Sequence, residues 1–177
     1  MKSPEVYRVL KLYLAEPLKA LGFKRAKGLL SWARPQDDRY LIFWCQISLD
    51  GWDNYAGSKF TAEFQLSDEA IVSARSIRRE RLPRMLDDLG REELRAIQNR
   101  VITSLHRPPP HHPSLQIEQL RDYHFKKFQR IDQPYGERED IWLRYATEEH
   151  VQQWSRFIIG FLPTCLRQTE NWRRGSD

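Results

Sequence analysis

Tyr40-Leu41-Ile42-Phe43-Trp44-Cys45-Gln46-Ile47-Ser48-Leu49, followed after a loop by Phe60-Thr61-Ala62-Glu63-Phe64-Gln65-Leu66, decides the fold. In the first run Leu41, Phe43, Cys45, Ile47 and Leu49 share one face of an extended chain. Tyr40, Ile42 and Trp44 begin the other face, so the first half is apolar on both sides. Gln46 and Ser48 then turn one side polar, the pattern of a central strand leaving a core. In the second run Phe60, Ala62, Phe64 and Leu66 face in, and Thr61, Glu63, Gln65 and Ser67 face out. Leu29 to Arg34 is a shorter strand, joined to Tyr40 through the turn residues Pro35-Gln36-Asp37-Asp38. Three strands with short connections predict an antiparallel meander.

Upstream of the strands lies a helix. Ser3-Pro4-Glu5 is a start signal, and Val6, Val9, Leu10 and Tyr13 recur at helical spacing. Pro17 predicts a kink or restart near Glu16. Gly22 closes the helix, with Phe23 placed to pack back on its last turn. Downstream, Ser67-Asp68-Glu69 opens an arginine-rich stretch read as helical, with Leu82, Met85, Leu86 and Leu89 on one stripe and Gly90 as its stop. Leu94, Ile97, Val101 and Leu105 form a second helical stripe. His106 to Pro113 is a polyproline-type connector, and residues 115 to 130 carry no clear pattern. Ile141, Leu143 and Tyr145 give a fourth strand. Thr147-Glu148-Glu149 caps a last helix carrying Val151, Trp154, Ile158, Leu162 and Cys165, with a kink expected at Pro163. The expected fold class is α+β: a mainly antiparallel four-stranded sheet, N- and C-terminal helices packed on it, and a helical insertion between strands three and four. One domain is expected over 1–177, divided into 1–67 (helix and meander), 68–107 (insertion), 108–113 (proline connector) and 114–177 (last strand and helix).

The 177 residues, 40% of them hydrophobic and 12% aromatic, suffice for one packed core and speak against disorder. Cys45 and Cys165 are far apart and each falls in an apolar stripe, which excludes a disulfide framework and a C-x-x-C site. Met1-Lys2-Ser3-Pro4-Glu5 has no apolar signal core, and no stretch approaches the roughly 20 apolar residues of a membrane span. The expected location is the cytoplasm, without membrane contact. A net charge of +5 permits an acidic partner without demanding one.

The order of helix, Gly22-Phe23-Lys24-Arg25, strand hairpin and alternating strand resembles a family of small bacterial proteins classed as a domain of unknown function. The resemblance covers Leu18 to Leu66 and, loosely, Trp142 to Leu166. It implies an accessory or interaction protein, of a kind found near toxin–immunity or defence genes. It implies no catalytic residue, because the family has no agreed active site.

Four groups of residues are candidates for chemistry. Arg75, Arg78, Arg79, Arg81 and Arg84, interrupted only by Glu80, could bind phosphates or an acidic partner through guanidinium forks; on a helix Arg75, Arg78 and Arg79 would share a face. The same arginines could equally pair with Asp87, Asp88, Glu92 and Glu93 on a solvated surface. Trp52 and Tyr55 lie in a loop where they could anchor a partner or fold over the sheet edge. Asp50 and Asp53, with the triplet Glu63-Phe64-Gln65, resemble the carboxylates of a magnesium-dependent restriction-type nuclease; Gln65 stands where that chemistry uses a lysine, and Glu63 also suits an amphipathic strand. His106, His111 and His112 could offer zinc ligands, or simply decorate a polar connector. No phosphate-cradling glycine loop, G-x-S-x-G or H-E-x-x-H is present. The expected function is a non-catalytic protein-interaction module without cofactor or metal, bound to a protein partner. Nucleic-acid binding through the arginines is the first alternative and a divergent nuclease the second.

Overall fold

The computed structural model describes residues 1–49, 51–52, 54–106, 109, 111–118 and 142–173. Helix α1 spans Ser3–Ala20. Lys2, and not Ser3, sits at its cap, and the Lys2 backbone N–H donates to Glu5 Oε2 at 2.6 Å. The helix passes through Pro17 without restarting. Leu14 and Leu18, on either side of the proline, are both fully buried, so packing holds the turn that the missing N–H weakens. The helix ends in a Schellman arrangement: Gly22 N–H donates to Lys19 O at 2.9 Å and Phe23 N–H to Leu18 O at 3.0 Å. Gly22 has φ +83°, which a glycine reaches without strain. Phe23 and Leu18 are buried together.

The strands are β1 (Lys24–Arg25), β2 (Ser31–Gln36), β3 (Arg39–Ile47), β4 (Ser58–Ser67), β5 (Arg78–Arg81) and β6 (Leu143–Tyr145). They form one antiparallel sheet in the order β1-β2-β3-β4-β5, with β6 also paired to β4. The sheet therefore has six strands and not four. β3 covers one edge of β4. Along the other edge β5 lies opposite Glu63–Leu66 and β6 opposite Ser58–Phe60, so the two short strands follow one another in line.

The arginine-rich stretch is not a helix. Ser67 to Ile77 is a long connection, and Arg78–Arg81 continue the sheet as β5. A turn of 3-10 helix, Leu82–Met85, follows and inserts Leu82 and Met85 into the core. Helix α2 spans Asp88–Thr103; Asp87 caps it, its Oδ1 accepting from Gly90 N–H at 2.8 Å. Gly90 thus opens a helix and does not stop one. A Cβ on it would lie 2.8 Å from the Phe161 ring, so its lack of a side chain permits the close approach of the last long helix. Leu89, placed on the apolar stripe from the sequence, is exposed. Of the expected proline connector, Pro108 and Pro110 lie outside the described residues; Pro113 begins a single helical turn, α3 (Pro113–Gln116). Ile141 of the expected fourth strand also lies outside them. Helix α4 spans Glu148–Glu170 without a break at Pro163, capped by Thr147, whose Oγ1 accepts from His150 N–H at 3.4 Å. A second 3-10 turn, Asn171–Arg173, closes the described chain.

A single apolar core joins Val6, Val9, Leu10, Leu14 and Leu18 of α1, the alternating residues of β3 and β4, and Val151, Trp154, Ile158, Leu162 and Cys165 of α4. Two hydrogen bonds tether α4 to strands: Gln36 Nε2 donates to Thr169 O and Trp154 Nε1 to Arg144 O. No helix among the described residues is long and apolar enough to cross a membrane.

The opposite face of the sheet departs from the expected solvated surface. Thr61, Glu63, Gln65 and Ser67 are all buried. The connection between β4 and β5 folds back onto Gln65. Gln65 clasps it with two bonds, its Nε2 donating to Ser73 O at 2.8 Å and its Oε1 accepting from Ser73 N–H at 3.2 Å. Gln65 is therefore a structural amide in this fold, satisfied at both ends as a buried amide must be.

Candidate functional site

The chemistry on this second face centres on Glu63, whose side chain is 3% exposed. A carboxylate so placed needs charged and hydrogen-bonded partners. Register supplies them. Arg81 pairs directly with Glu63 across β4 and β5, and Arg79 lies opposite Gln65, two residues along on the same face. Arg79 Nε donates to Glu63 Oε1 at 2.7 Å, and Arg81 Nε stands 3.4 Å from Oε2. Trp44, opposite Glu63 on β3, donates from Nε1 to Oε1 at 3.0 Å. The Arg79 guanidinium lies 5.8 Å over the Trp44 ring, and that of Arg81 5.6 Å over Trp142, which also carries Lys59 Nζ at 5.3 Å.

Both arginines are thus fixed by their Nε atoms while their side chains stay 40% and 27% exposed. No hydrogen bond to the Nη groups of either is made by the described residues. Both residues border an open cleft lined by Glu63, Arg79, Glu80, Arg81 and Arg84. Arg84 leans toward Glu80 at 3.9 Å, and Glu80 Oε1 accepts from the Arg81 backbone N–H at 3.1 Å. Three guanidinium groups face two carboxylates, one of them sealed beneath, so the mouth of the cleft is net positive. An end-on guanidinium suits a bidentate oxyanion. Ordering a long side chain on binding costs about 0.5–1.5 kcal/mol; two pre-ordered arginines therefore spare a ligand about 1–3 kcal/mol.

The remaining candidates are dispersed. Arg78 points to the other side of β5, 5.2 Å over the Trp172 ring, and Arg75 is exposed in the connection. Arg75, Arg78 and Arg79 therefore do not share a helical face. Trp52 is 37% exposed and ties its loop to the start of α4, Nε1 donating to Ala146 O at 3.3 Å. Tyr55 meets His112 edge-on at 5.3 Å. Each ring thus has a contact within the chain. Asp50 and Asp53 lie outside the described residues. Glu63 has both oxygens engaged by Trp44 and two arginines. His106 and His111 are exposed, and no group of three or more His, Cys, Asp or Glu among the described residues is placed to hold a metal ion. Burial raises the thiol pKa of both cysteines, with Cys165 pushed up to about 12, so neither is poised as a nucleophile.

Trp44, Trp142 and Glu80 were not singled out as site residues from the sequence. The parity of Arg79 and Arg81 carried the signal: alternate arginines share a face on a strand, as they do not on a helix. No family model, curated protein or solved structure matches the chain.

Proposed function

We propose that this chain is a non-catalytic interaction module, an accessory-type protein that docks an anionic partner at the arginine cleft. The observation that carries it is the anchoring of Arg79 and Arg81 through Nε on buried Glu63 while both side chains stay part-exposed at the cleft. Charge is placed and pre-ordered there, and every acid lining the cleft is engaged with an arginine side chain or backbone N–H. The engagement of Glu63 weighs against the nuclease alternative, which needs that carboxylate for metal. The Gly22-Phe23-Lys24-Arg25 resemblance supports the same class of function, a cytoplasmic bacterial protein associated with defence or immunity systems. Lys24 and Arg25 act in the scaffold: Arg25 donates to Ser31 O at 2.7 Å and lies 5.6 Å over the Trp32 ring.

Affinity capture from native cells, run in parallel with Arg84→Glu, tests this. The wild-type chain retains a partner at low salt and releases it as salt rises, and the variant retains none. A chain that elutes alone and monomeric at every salt concentration, or a partner that both forms retain equally, refutes it.

A further inference from the structure

Resting on that docking site, the geometry points to its occupant: the phosphodiester backbone of a nucleic-acid strand, held without reading the bases, with Glu80 as a built-in competitor for Arg84.

Two observations separate this occupant from an acidic peptide, and a third is consistent with it. The first is spacing. Arg79 and Arg81 are alternate residues of β5, so their side chains leave one face of the strand roughly 6.5–7 Å apart. Arg84 follows on the 3-10 turn and lines the same cleft. Cations gathered in this way suit successive phosphates, every one of which is charged, whereas only alternate residues of an extended peptide face one side. The second is the edge itself. An extended peptide is captured most readily by adding to an open strand, but β5 is four residues long, charged and followed by Leu82-Pro83, and Glu80 already accepts from the Arg81 N–H. Such an edge is blunted against strand addition. The third is the chemistry of the cation. All three groups at the cleft are arginines, whose planar forks match carboxylate and phosphate oxygens alike.

The tryptophans decide the mode of reading. Base recognition on a single strand needs free aromatic faces for stacking. Trp44 carries Arg79 over its ring, and Trp142 carries Arg81 and Lys59. The rings support the cations and do not offer platforms for bases, so binding is insensitive to sequence.

Glu80 sets the strength. Its carboxylate lies 3.9 Å from Arg84 and borders the same cleft as Arg79 and Arg81. A phosphate entering the row must displace it from Arg84. Removing its charge therefore tightens binding, whereas removing Arg84 weakens it. Both residues are at least part-exposed, and Glu80→Gln keeps a side-chain oxygen for the Arg81 N–H, so both changes leave the partners of buried Glu63 in place.

The test is fluorescence anisotropy with labelled oligo-dT, oligo-dA and a mixed-sequence duplex, across a salt series, on the full chain and on Arg84→Ala and Glu80→Gln. The expected slope of log K against log salt on single strands is roughly −2, since each of three phosphates contributes about −0.7. Arg84→Ala lowers that slope by about 0.7. Glu80→Gln tightens binding roughly twofold to fivefold, the equivalent of a surface ion pair. Oligo-dT and oligo-dA bind alike, and the duplex, which presents the same phosphodiester backbone, binds as well; a clear preference for one base over the other overturns holding by the backbone alone. Absence of binding to every probe at low salt overturns the assignment, as does a Glu80→Gln variant no tighter than wild type. If the probes fail while Arg84 still governs capture of an acidic protein, the nucleic-acid assignment falls and the docking surface stands. If both fail, the docking surface falls too.

Discussion

Replacing Glu63 by alanine removes the one carboxylate on which Trp44, Arg79 and Arg81 converge. Three terms set the size of the effect. The Trp44 N–H, on a side chain that is buried, loses its charged acceptor, which costs about 1–3 kcal/mol. Arg79 and Arg81 lose their partner but are 40% and 27% exposed, so water screens much of that loss, about 0–1 kcal/mol each. The sum is about 1–5 kcal/mol. For a chain of this size each 1 kcal/mol moves Tm by about 2–4 °C, so a midpoint value near 3 kcal/mol lowers it by about 6–12 °C. Glu63→Gln keeps an oxygen for Trp44 and Arg79 and gives up only the charge; it falls by about a third as much. The paired substitution Arg79→Ala with Arg81→Ala is the worst of the three, about 3–5 kcal/mol, because it leaves a buried carboxylate without its cations. Thermal unfolding followed by far-UV circular dichroism, with urea midpoints as a second measure, ranks the variants. The reasoning is refuted if Glu63→Ala unfolds within about 2 °C of wild type, or if the double arginine variant is milder than Glu63→Ala.

Three further predictions concern the scaffold. Gly57 has φ +61°, and a Cβ there would lie 2.2 Å from the Tyr145 carbonyl oxygen; Gly57→Ala therefore costs at least about 2 kcal/mol in urea unfolding, whereas Gly28→Ala, at φ +85° in open space, costs about 1. His150 accepts the backbone N–H groups of Ala146 and Thr147 on Nδ1, and burial lowers its pKa below the ordinary 6.5. The fold thus prefers the neutral ring, so its contribution is complete above about pH 6.5 and is lost as pH falls through the lowered folded value; Tm measured from about pH 8 to about pH 5 declines less in His150→Asn than in wild type. Cys45 and Cys165, both buried, resist a thiol reagent at about pH 8 in the native protein and react promptly in denaturant; labelling of either in the native state contradicts their burial.

Features whose cause is local were legible in the chain. Gly22 and Phe23 ended α1 as expected because a Schellman turn is decided within six residues. Thr147 capped α4 for the same reason. The alternation of Phe60, Ala62, Phe64 and Leu66 assigned the core face of β4 correctly. The errors arose where distant partners intervene. Arg78–Arg81 has no apolar alternation, and four residues give little period to detect, so the neighbouring Leu82, Met85 and Leu86 suggested a helix. Glu63 and Gln65 on β4 supplied the ladder that made it a strand. Gly90 resembled a stop because the ring it accommodates, Phe161, belongs to α4. The candidate site was half legible: Arg79, Arg81 and Arg84 read together as a cationic group, and Glu63 read apart from them as a metal-binding carboxylate.

By itself, then, the sequence determined the helix ends, the central strands and their inward face, because capping and alternation act between near neighbours. Whether the outward face of β4 meets water was never a local property. A period of two distinguishes two faces but says nothing of what covers them. The tertiary structure decided that, folding the Ser67–Ile77 connection onto Gln65 and bringing Arg79 to Glu63 from 16 residues away. A buried carboxylate must find its cations, and only the pairing of β5 with β4 put them within reach.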